Sequence, residues 1–328
     1  MTVSATASAV ARVLAGDVRA VARMITRAES RAAGVGGEIA ELYRSAGRSW
    51  IIGVTGAPGT GKSTLVSAMI SELRRRERTV AIVAVDPSSP YSGGAILGDR
   101  IRLSGFESDV GVFIRSMATR GALGGIARAT VDAVTVLDAA GMDHVIIETV
   151  GVGQDEIDIA SAAHVTVVVS VPGLGDDVQA MKAGVLEIAD IHVVNKADRD
   201  GADRTLAELR SMLSLGSAHP GLPRPPIVKT TAPSGAGVVE LVNEIDRHHR
   251  ALIESGRLGG RVRAMAERQV QVLAQRILVD DLQSPARGEA FDRVLDDVCA
   301  RRLDPASAAE QLLRPSEGEV HVSAKTDA

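Results

Sequence analysis

The sequence contains very little cysteine: one residue in 328, Cys299. A single cysteine cannot form a disulfide within the chain or supply a cysteine-based metal site. Long apolar runs are also missing, since none approaches the roughly 20 residues that span a membrane. Arg12, Asp17 and Arg19 interrupt the apolar stretch that a secretory signal peptide would need. The formal net charge of −4 does not favour non-specific nucleic-acid binding. We therefore expect a soluble, cytoplasmic protein with no nucleic-acid or membrane partner.

Lysine is scarce as well. Of the 37 lysine and arginine residues, only five are lysines, at positions 62, 182, 196, 229 and 325. Because arginine is the usual cation of this chain, a lysine marks a position where a compact ammonium group is favoured. Two of these lysines, Lys62 and Lys196, fall in the motifs described next, and Lys182 becomes a further candidate for a functional role.

A glycine-rich segment follows the short apolar run 50–55, which predicts a buried strand, and precedes an amphipathic helical pattern. The segment fits G-x-x-x-x-G-K-[ST] at every fixed position and consists of Gly56, Ala57, Pro58, Gly59, Thr60, Gly61, Lys62 and Ser63, with Thr64 as the next helical residue. Glycines let the backbone N–H groups of such a loop turn towards a phosphate, and the following helix N-terminus favours an anion. Lys62 can reach the β- and γ-phosphates, and the Ser63 hydroxyl can ligate Mg²⁺. The alternative, a glycine-rich turn that binds nothing, is disfavoured by the strand before it and the helix after it.

Strand and helix patterns alternate from residue 50 to about residue 255. Predicted strands are 50–55, 79–85, 145–147, 165–171, 191–194 and 226–229. Predicted helices are about 123–139, 155–161, 176–189, 202–213 and 237–254. This alternation predicts an α/β fold with a doubly wound, mainly parallel sheet of the P-loop NTPase kind, whose ligand lies at the carboxyl ends of the strands.

Helical patterns flank this region on both sides. We expect an N-terminal helical segment over 1–48 with a break at 34–37, a P-loop domain over 49–255, a C-terminal helical segment over 256–314 with a break at 259–260, and a disordered tail over 315–328. The C-terminal helices either pack on their own domain or form a dimer interface. Their apolar face is wider than a solvent-facing helix needs, which favours the homodimer.

A second motif follows the predicted strand 191–194. Asn195, Lys196 and Asp198 fit N-K-x-D, a guanine-reading pattern. A carboxylate at position 198 can accept hydrogen bonds from guanine N1–H and the N2 amino group, a pair that adenine lacks. The stem of Lys196 can lie over the base, and Asn195 can tie this loop to the phosphate loop. A second base-contacting turn is expected after the next strand, at Thr231, Ala232 and Pro233.

Three acidic residues lie between the two motifs. Asp86 and Glu148 end predicted central strands, and Asp99 follows a glycine-rich loop. Carboxylates at the carboxyl ends of central strands face the nucleotide, where Mg²⁺ and a water need oxygen ligands. The alternative for each residue, most of all for Asp99, is that it only caps a helix or turn.

Together these segments resemble the MeaB/ArgK family of P-loop GTPases. The resemblance rests on residues 56–64, 85–89, 98–100, 148–154, 175–184 and 195–198, and the segment E-T-V-G-V-G-Q at 148–154 is the most specific of them. It implies a GTPase chaperone of adenosylcobalamin-dependent methylmalonyl-CoA mutase, which gates cofactor loading and protects the mutase, and which forms a homodimer through its C-terminal helices. It also implies that GTP or GDP and Mg²⁺ are bound.

The resemblance further assigns roles to single residues. Lys62 and Ser63 would hold phosphate and Mg²⁺, and Asp86, Asp99 and Glu148 would surround the metal and the attacking water. In the segment 175–184, Gln179 and Lys182 would couple the state of the nucleotide to the partner protein.

The chain departs from the commoner GTPase pattern in one respect. The D-x-x-G motif appears as Glu148-Thr149-Val150-Gly151, and Val152 stands where Ras-like proteins carry a glutamine that orients the attacking water. We therefore expect slow intrinsic hydrolysis that the partner stimulates. The residue that orients the water is not identified.

Three other functions remain open from the sequence. A nickel-type metallochaperone GTPase would usually carry cysteine or clustered histidine ligands, whereas the seven histidines here are mostly scattered. An amino-acid transport-associated ATPase or kinase would transfer the phosphoryl group to arginine or ornithine. A GTP-dependent binding module would hydrolyse GTP negligibly.

Overall fold

The structure is a computed structural model of the chain. It describes residues 8–86, 105–118, 128–149, 159–173, 188–215, 224–282, 284 and 288–313. The chain divides into two compact units, Met1–Gln269 and Val270–Ala328, and each is described by itself. No helix among the described residues is long and apolar enough to cross a membrane.

The described residues form seven strands and ten α-helices. The strands are β1 Trp50–Thr55, β2 Val80–Asp86, β3 Val112–Ala118, β4 His144–Thr149, β5 Val165–Ser170, β6 Ile191–Val194 and β7 Ile227–Lys229. The helices are α1 Ala9–Leu14, α2 Val18–Glu29, α3 Val35–Tyr43, α4 Lys62–Arg75, α5 Arg128–Ala139, α6 Ala202–Leu215, α7 Val238–Glu254, α8 Leu258–Leu282, α9 Gly288–Cys299 and α10 Pro305–Leu313.

All seven strands belong to one parallel sheet with the order β3-β2-β4-β1-β5-β6-β7. Strand β1 lies between β4 and β5, with Val54 opposite Glu148 and Thr55 opposite Val168. Central strands of this kind are covered on both faces, which explains why β1, β4, β5 and β6 are buried along their whole length. All strand carboxyl ends therefore meet at one edge of the sheet, the carboxyl edge.

Two apolar layers sandwich the sheet. On one face, residues of α4 and α7 such as Leu65, Met69 and Leu241 are fully buried. On the other face, α2, α3 and α5 contribute buried residues such as Ile25 and Leu42 to the core. Helices on both faces of a parallel sheet define the doubly wound class that the strand–helix alternation predicts.

The N-terminal helices pack onto this second face as part of the first unit. Asp17 caps α2 by accepting a hydrogen bond from the Ala20 N–H at 3.0 Å, and its carboxylate pairs with Arg12 at 2.6 Å. The hydrogen bond from Arg12 is the main cause that lowers the pKa of Asp17. Thus two of the charged residues that interrupt the N-terminal apolar run fix the α1–α2 corner.

Three local features differ from the sequence prediction. Strand β3 was not predicted, because Arg115 and Ser116 interrupt its apolar pattern and it lies at the edge of the sheet. The expected break at 34–37 falls earlier, since α3 already begins at Val35 after Gly34 at φ 79°. The break expected at 259–260 also falls earlier, at 255–257: α8 begins at Leu258 and includes both glycines in its first turn. Glycine is tolerated there because its cost of about 1 kcal/mol relative to alanine applies to the interior of a helix.

Two predicted helices fall largely outside the described residues. Of the helix expected over 155–161, the structure describes only a 3₁₀ turn at Ile159–Ser161. The helix expected over 176–189 is described only from residue 188.

The second unit contains the end of α8 together with α9 and α10. Helices α9 and α10 pack against each other, and Val294 and Ala308 are buried. Asp304 caps α10 by accepting hydrogen bonds from Ala306 N and Ser307 N, each at 3.0 Å. Several large apolar side chains of this unit remain exposed: Val270, Ile277, Leu278, Val279, Leu295 and Leu313.

A fully buried histidine gives the fold a predictable pH dependence. His192 of β6 lies opposite Val168, is 0% exposed, and neither ring nitrogen has a hydrogen-bond partner within the described part of the chain. Burial lowers its pKa from 6.5 to about 4. Because the neutral form is favoured in the fold, this contribution to stability is complete above the unfolded pKa and is lost as the pH falls towards about 4.

Acidification to about pH 5 should therefore destabilise the protein, with His192 contributing about 2 kcal/mol to the loss in unfolding free energy. In His192→Leu, the free energy of unfolding should fall by about 2 kcal/mol less between pH 7 and about pH 5 than it does in the parent. Urea unfolding at both pH values measures this difference. An identical pH dependence in the variant and the parent would contradict this account.

Candidate nucleotide-binding site

The phosphate loop joins β1 to α4 at the carboxyl edge of the sheet. Gly56 and Gly61 have φ values of 141° and 85°, which residues with a side chain rarely adopt. A Cβ at Gly56 would lie 2.2 Å from the Val169 carbonyl oxygen, and a Cβ at Gly61 would lie 2.7 Å from Asn195 Nδ2. Both glycines are therefore required by dihedral angle and by the close approach of neighbouring strand ends.

Lys62 is held inside this loop. Its ammonium group donates hydrogen bonds to the carbonyl oxygens of Gly56 at 2.7 Å and Ala57 at 3.0 Å, and the residue is 6% exposed. The Thr60 hydroxyl also donates to the Ala57 carbonyl at 2.8 Å. The single buried ammonium of the loop thus lies among backbone groups at a helix N-terminus, where an anionic phosphate is stabilised.

Ser63 and Glu148 meet beside the loop although 85 residues separate them in sequence. The Ser63 hydroxyl donates to Glu148 Oε1 at 2.5 Å, and the two residues are 7% and 4% exposed. Ser63 lies in the first turn of α4, and Glu148 lies near the end of β4, next to β1. A hydroxyl and a carboxylate are the hard oxygen donors that Mg²⁺ prefers, and Mg²⁺ usually takes only one or two protein carboxylates in addition to phosphate and water oxygens. The pair therefore fits such an ion.

The structure describes the other predicted site residues only in part. Asp86 is the last residue of β2, at the carboxyl edge, and the structure describes its backbone alone. Asp99, Gln179 and Lys182 lie outside the described residues. Within the described ranges, no group of three or more His, Cys, Asp and Glu side chains forms a metal-binding cluster.

Asn195 links three loops of the site. Its Nδ2 donates to the Thr60 carbonyl at 2.9 Å, while its Oδ1 accepts hydrogen bonds from the Thr230 hydroxyl at 3.1 Å and from Ala232 N at 3.2 Å. The side chain is 1% exposed. The phosphate loop, the loop after β6 and the turn after β7 are therefore joined through one amide.

Lys196 also bridges the loop after β6 and the phosphate loop. It adopts φ 55°, and its ammonium donates to the Gly59 carbonyl at 2.8 Å. Asp198 follows in the same turn and is exposed, while Ala197 N donates to the Thr230 carbonyl at 3.0 Å. This geometry leaves the Asp198 carboxylate available at the surface of a loop whose backbone is fixed.

The expected second turn lies where the sequence places it, directly after β7. Thr231 precedes a short 3₁₀ helix, Ala232–Ser234, with Pro233 at its centre. The Thr231 N–H donates to the Ala236 carbonyl at 2.9 Å, which closes the turn.

Two supporting features were not found from the sequence. Thr230 was not singled out, although its position directly after β7 and before the predicted turn could have indicated it. The Thr149 and Thr55 hydroxyls form a buried hydrogen bond at 2.9 Å between the ends of β4 and β1. Nothing in the sequence pairs these two threonines, because their contact depends on strand order.

Replacing Asn195 by alanine should lower the free energy of unfolding by about 2–4 kcal/mol, because buried groups of three loops lose their partner. The matched control is Asn243→Ala, which removes an exposed amide that accepts one hydrogen bond from Arg76 at 2.8 Å; it should cost less than about 1 kcal/mol. Urea unfolding measures both variants. Equal losses would show that Asn195 does not tie the loops together.

Comparison with known proteins agrees with this geometry. The family model described as "Methylmalonyl Co-A mutase-associated GTPase MeaB" matches residues 21–286. A protein of Pyrococcus abyssi named as a GTPase is 46% identical over 306 residues, which cover 92% of this chain and 94% of the relative. The mouse mitochondrial protein named methylmalonic aciduria type A homolog is 33% identical over 267 residues, which cover 80% of this chain and 64% of the relative.

One solved structure, described as an LAO/AO transport system kinase, matches with a TM-score of 0.70 and 25% identity, covering 95% of this chain and 97% of that one. This likeness and the seven-stranded parallel sheet confirm the predicted P-loop NTPase fold class. On the family model and the identity to its relatives, the chain belongs to the MeaB family of GTPases.

Proposed function

We propose that the chain binds GTP with Mg²⁺ at the carboxyl edge of the sheet and hydrolyses it to GDP and phosphate. The observation that carries this proposal is the position of Asn195, which joins the phosphate loop to both loops expected to contact the base. A nucleotide whose phosphates lie in the first loop can therefore place its base between the other two. A carboxylate at Asp198 favours guanine, since adenine lacks the paired N–H donors.

The roles proposed for the site residues follow from their chemistry. Lys62 binds the β- and γ-phosphates, and Ser63 and Glu148, with Asp86 and Asp99, provide oxygen ligands for the metal and the attacking water. When bound, Mg²⁺ would neutralise charge that develops on the phosphate oxygens. Positioning and electrostatic stabilisation account for most of the catalysis in phosphoryl transfer, so these residues need only hold the reactants in place.

Hydrolysis by the isolated protein is proposed to be slow. Val152 offers no polar group at the position where Ras-like proteins orient the water. A partner protein that orders the site would then raise the rate, and Gln179 and Lys182 are proposed to couple the nucleotide state to that partner.

The proposed partner is adenosylcobalamin-dependent methylmalonyl-CoA mutase. The support is the family description, which names a mutase-associated GTPase, and the name of the mouse relative. In this role the chain acts as a cytoplasmic chaperone that assists cofactor loading and protects the mutase. A homodimer is proposed because the Val270–Ala328 unit exposes several large apolar side chains, which an interface would bury.

The direct test is a pull-down of methylmalonyl-CoA mutase by this chain with GDP, with a non-hydrolysable GTP analogue and with no nucleotide. The proposal predicts a complex whose amount depends on the nucleotide. Absence of a complex under all three conditions would exclude the mutase as partner and leave the GTPase assignment to be tested separately.

A second candidate function is an amino-acid transport-associated kinase, favoured by the likeness to the structure described as an LAO/AO transport system kinase. The two functions differ in the phosphoryl acceptor. Incubation with γ-labelled GTP or ATP and arginine or ornithine separates them, because a kinase yields a labelled amino acid and a GTPase yields labelled phosphate.

Glu148→Gln should reduce the rate of GTP hydrolysis by at least about tenfold, because the variant loses a negative charge at the metal and water position. Nucleotide binding should fall much less, since Lys62 and the loop backbone remain. Single-turnover phosphate release and binding of a fluorescent GDP analogue measure the two effects. Unchanged turnover would instead favour the pure binding module.

A further inference from the structure

A cavity of about 330 Å³ lies at the opposite end of the sheet, near the amino end of β1. Its walls come from the segment before β1, from α5, and from α7 and the first part of α8. Trp50 begins β1, whereas the phosphate loop begins after Thr55, so a strand length of about 17 Å separates the two sites. None of the nucleotide motifs accounts for the residues that line this cavity.

The side of the cavity at Trp50 is rigid and uncharged. The Trp50 indole stacks with two imidazoles, with ring centroids 3.8 Å from His249 and 4.7 Å from His164. His164 Nδ1 accepts a hydrogen bond from Ile51 N at 3.0 Å, and burial lowers the pKa of His164 to about 4. Burial also lowers the pKa of His249. The stack is therefore neutral at pH 7 and presents preformed aromatic surface.

The rim of the cavity is also fixed in place. Asp138 of α5 is 6% exposed, and its carboxylate accepts hydrogen bonds from the backbone N–H groups of Gly47 at 2.6 Å, Arg48 at 3.0 Å and Ser49 at 2.9 Å. These bonds occupy both carboxylate oxygens. The side chain of Arg48 is exposed and forms no ion pair with any residue that the structure describes. A fixed loop therefore holds the Arg48 guanidinium at the rim without a salt-bridge partner among the described residues.

The walls combine apolar surface with unused hydrogen-bonding groups. Val131, Val134 and Met265 are among the apolar lining residues. Two other lining residues, Trp50 and Thr130, are 5% and 1% exposed, and their Nε1 and Oγ1 atoms have no hydrogen-bond partner among the described residues. Buried polar atoms are normally paired, so these two groups are exceptions beside the cavity.

We propose that this cavity binds a small amphipathic carboxylate, with its apolar body against α5, α8 and the Trp50 ring and its carboxylate towards Arg48. The volume is within the range of small-molecule sites, which are mostly apolar with a few fixed polar groups. The Arg48 cation at the rim selects an anionic head over a neutral one. The proposal does not depend on the function of the nucleotide site.

The test uses the intrinsic fluorescence of Trp50, the only tryptophan in the chain. The full-length protein is titrated with octanoate and, separately, with octan-1-ol, which has the same chain length and no charge. The proposal predicts a saturable change in emission and binding of octanoate at least about tenfold tighter than octanol. No saturable change would overturn the proposal, and equal affinity for the two compounds would overturn the carboxylate selectivity.

Variants locate the site. Ala266→Phe and Val131→Phe fill the cavity from α8 and from α5 and should each abolish octanoate binding. Ala264→Phe adds the same ring to an exposed position of α8 and should bind octanoate like the parent. Binding that persists in both filled variants would overturn the proposal.

The surface variant Arg48→Gln tests the polar end without altering the core. It should lower the affinity for octanoate by about tenfold and leave the affinity for octanol unchanged. Octanoate affinity equal to that of the parent would overturn the role of Arg48 even if a filled variant failed to fold. Thermal unfolding of each variant confirms that it is folded.

Discussion

Replacing Lys62 by alanine should lower the affinity for GTP at least about 100-fold and remove measurable hydrolysis. The reason lies in the geometry of the phosphate loop. Its ammonium is 6% exposed and is fixed by the carbonyl oxygens of Gly56 and Ala57, so the protein holds a preorganised cation where the β- and γ-phosphates would bind. Charge-assisted hydrogen bonds of this kind are about twice as strong as neutral ones.

The matched control is Lys229→Ala. Lys229 is an exposed lysine of β7 that pairs with Asp203 at 3.0 Å, so its loss changes the net charge equally and should leave affinity within about twofold. Calorimetric titration with GDP and with a non-hydrolysable GTP analogue measures both variants. Retained GTP hydrolysis in Lys62→Ala would show that the phosphate loop is not the site of turnover.

Exchanging Asp198 for asparagine should change the base preference from guanine to xanthine. The Asp198 carboxylate is proposed to accept hydrogen bonds from guanine N1–H and the N2 amino group. Asparagine presents an N–H donor instead, which matches the carbonyl oxygen that xanthine carries in place of that amino group. Loss of these two charge-assisted hydrogen bonds should lower the affinity for GTP by roughly 100-fold. The Asp198→Asn variant should bind xanthosine triphosphate more tightly than the parent does.

The matched control is Asp200→Asn, which changes another exposed acid two residues further along the chain. It should bind both GTP and xanthosine triphosphate with the affinity of the parent. Competition between the two nucleotides against a fluorescent GDP analogue gives the preference directly. GTP affinity that is unchanged in Asp198→Asn would remove this residue from the base site.

The local parts of the fold and of the site could be predicted from sequence. The order β1, phosphate loop and α4 depends on neighbouring residues alone, and the turn dihedrals of Gly56 and Gly61 follow from the motif itself. Asn195 and Lys196 were predicted from the N-K-x-D motif at the end of an apolar strand, and Thr231 from its place after the next strand. Strand ends of a parallel sheet meet at one edge, so separate short motifs could be expected to converge there.

The long-range contacts could not be predicted. Thr55 and Thr149 meet only because β4 and β1 are neighbours in the sheet. Ser63 and Glu148 were both expected at the metal, but their direct hydrogen bond depends on the same strand order. Asp138 fixes the loop before β1, about 90 residues away in the sequence, and no sequence motif predicts that contact. The cavity near the amino end of β1 is formed by long-range contacts of the same kind.

Edge strands and glycines explain the local differences. Strand β3 pairs only with β2 in the described sheet, so it needs no continuous apolar run and its sequence did not indicate a strand. Gly259 and Gly260 suggested a helix end, but a glycine is penalised less at the first turn than in the interior of a helix. In both cases position within the fold overrides local preference.

The most direct test of the account measures phosphate release from GTP and from ATP by the isolated protein, with and without methylmalonyl-CoA mutase. We expect slow release from GTP alone, an increase of at least about tenfold when the mutase is added, and little release from ATP under either condition. Release from ATP as fast as from GTP would contradict the guanine site. A GTP rate that the mutase leaves unchanged would contradict the proposed coupling between the phosphate loop and a partner protein.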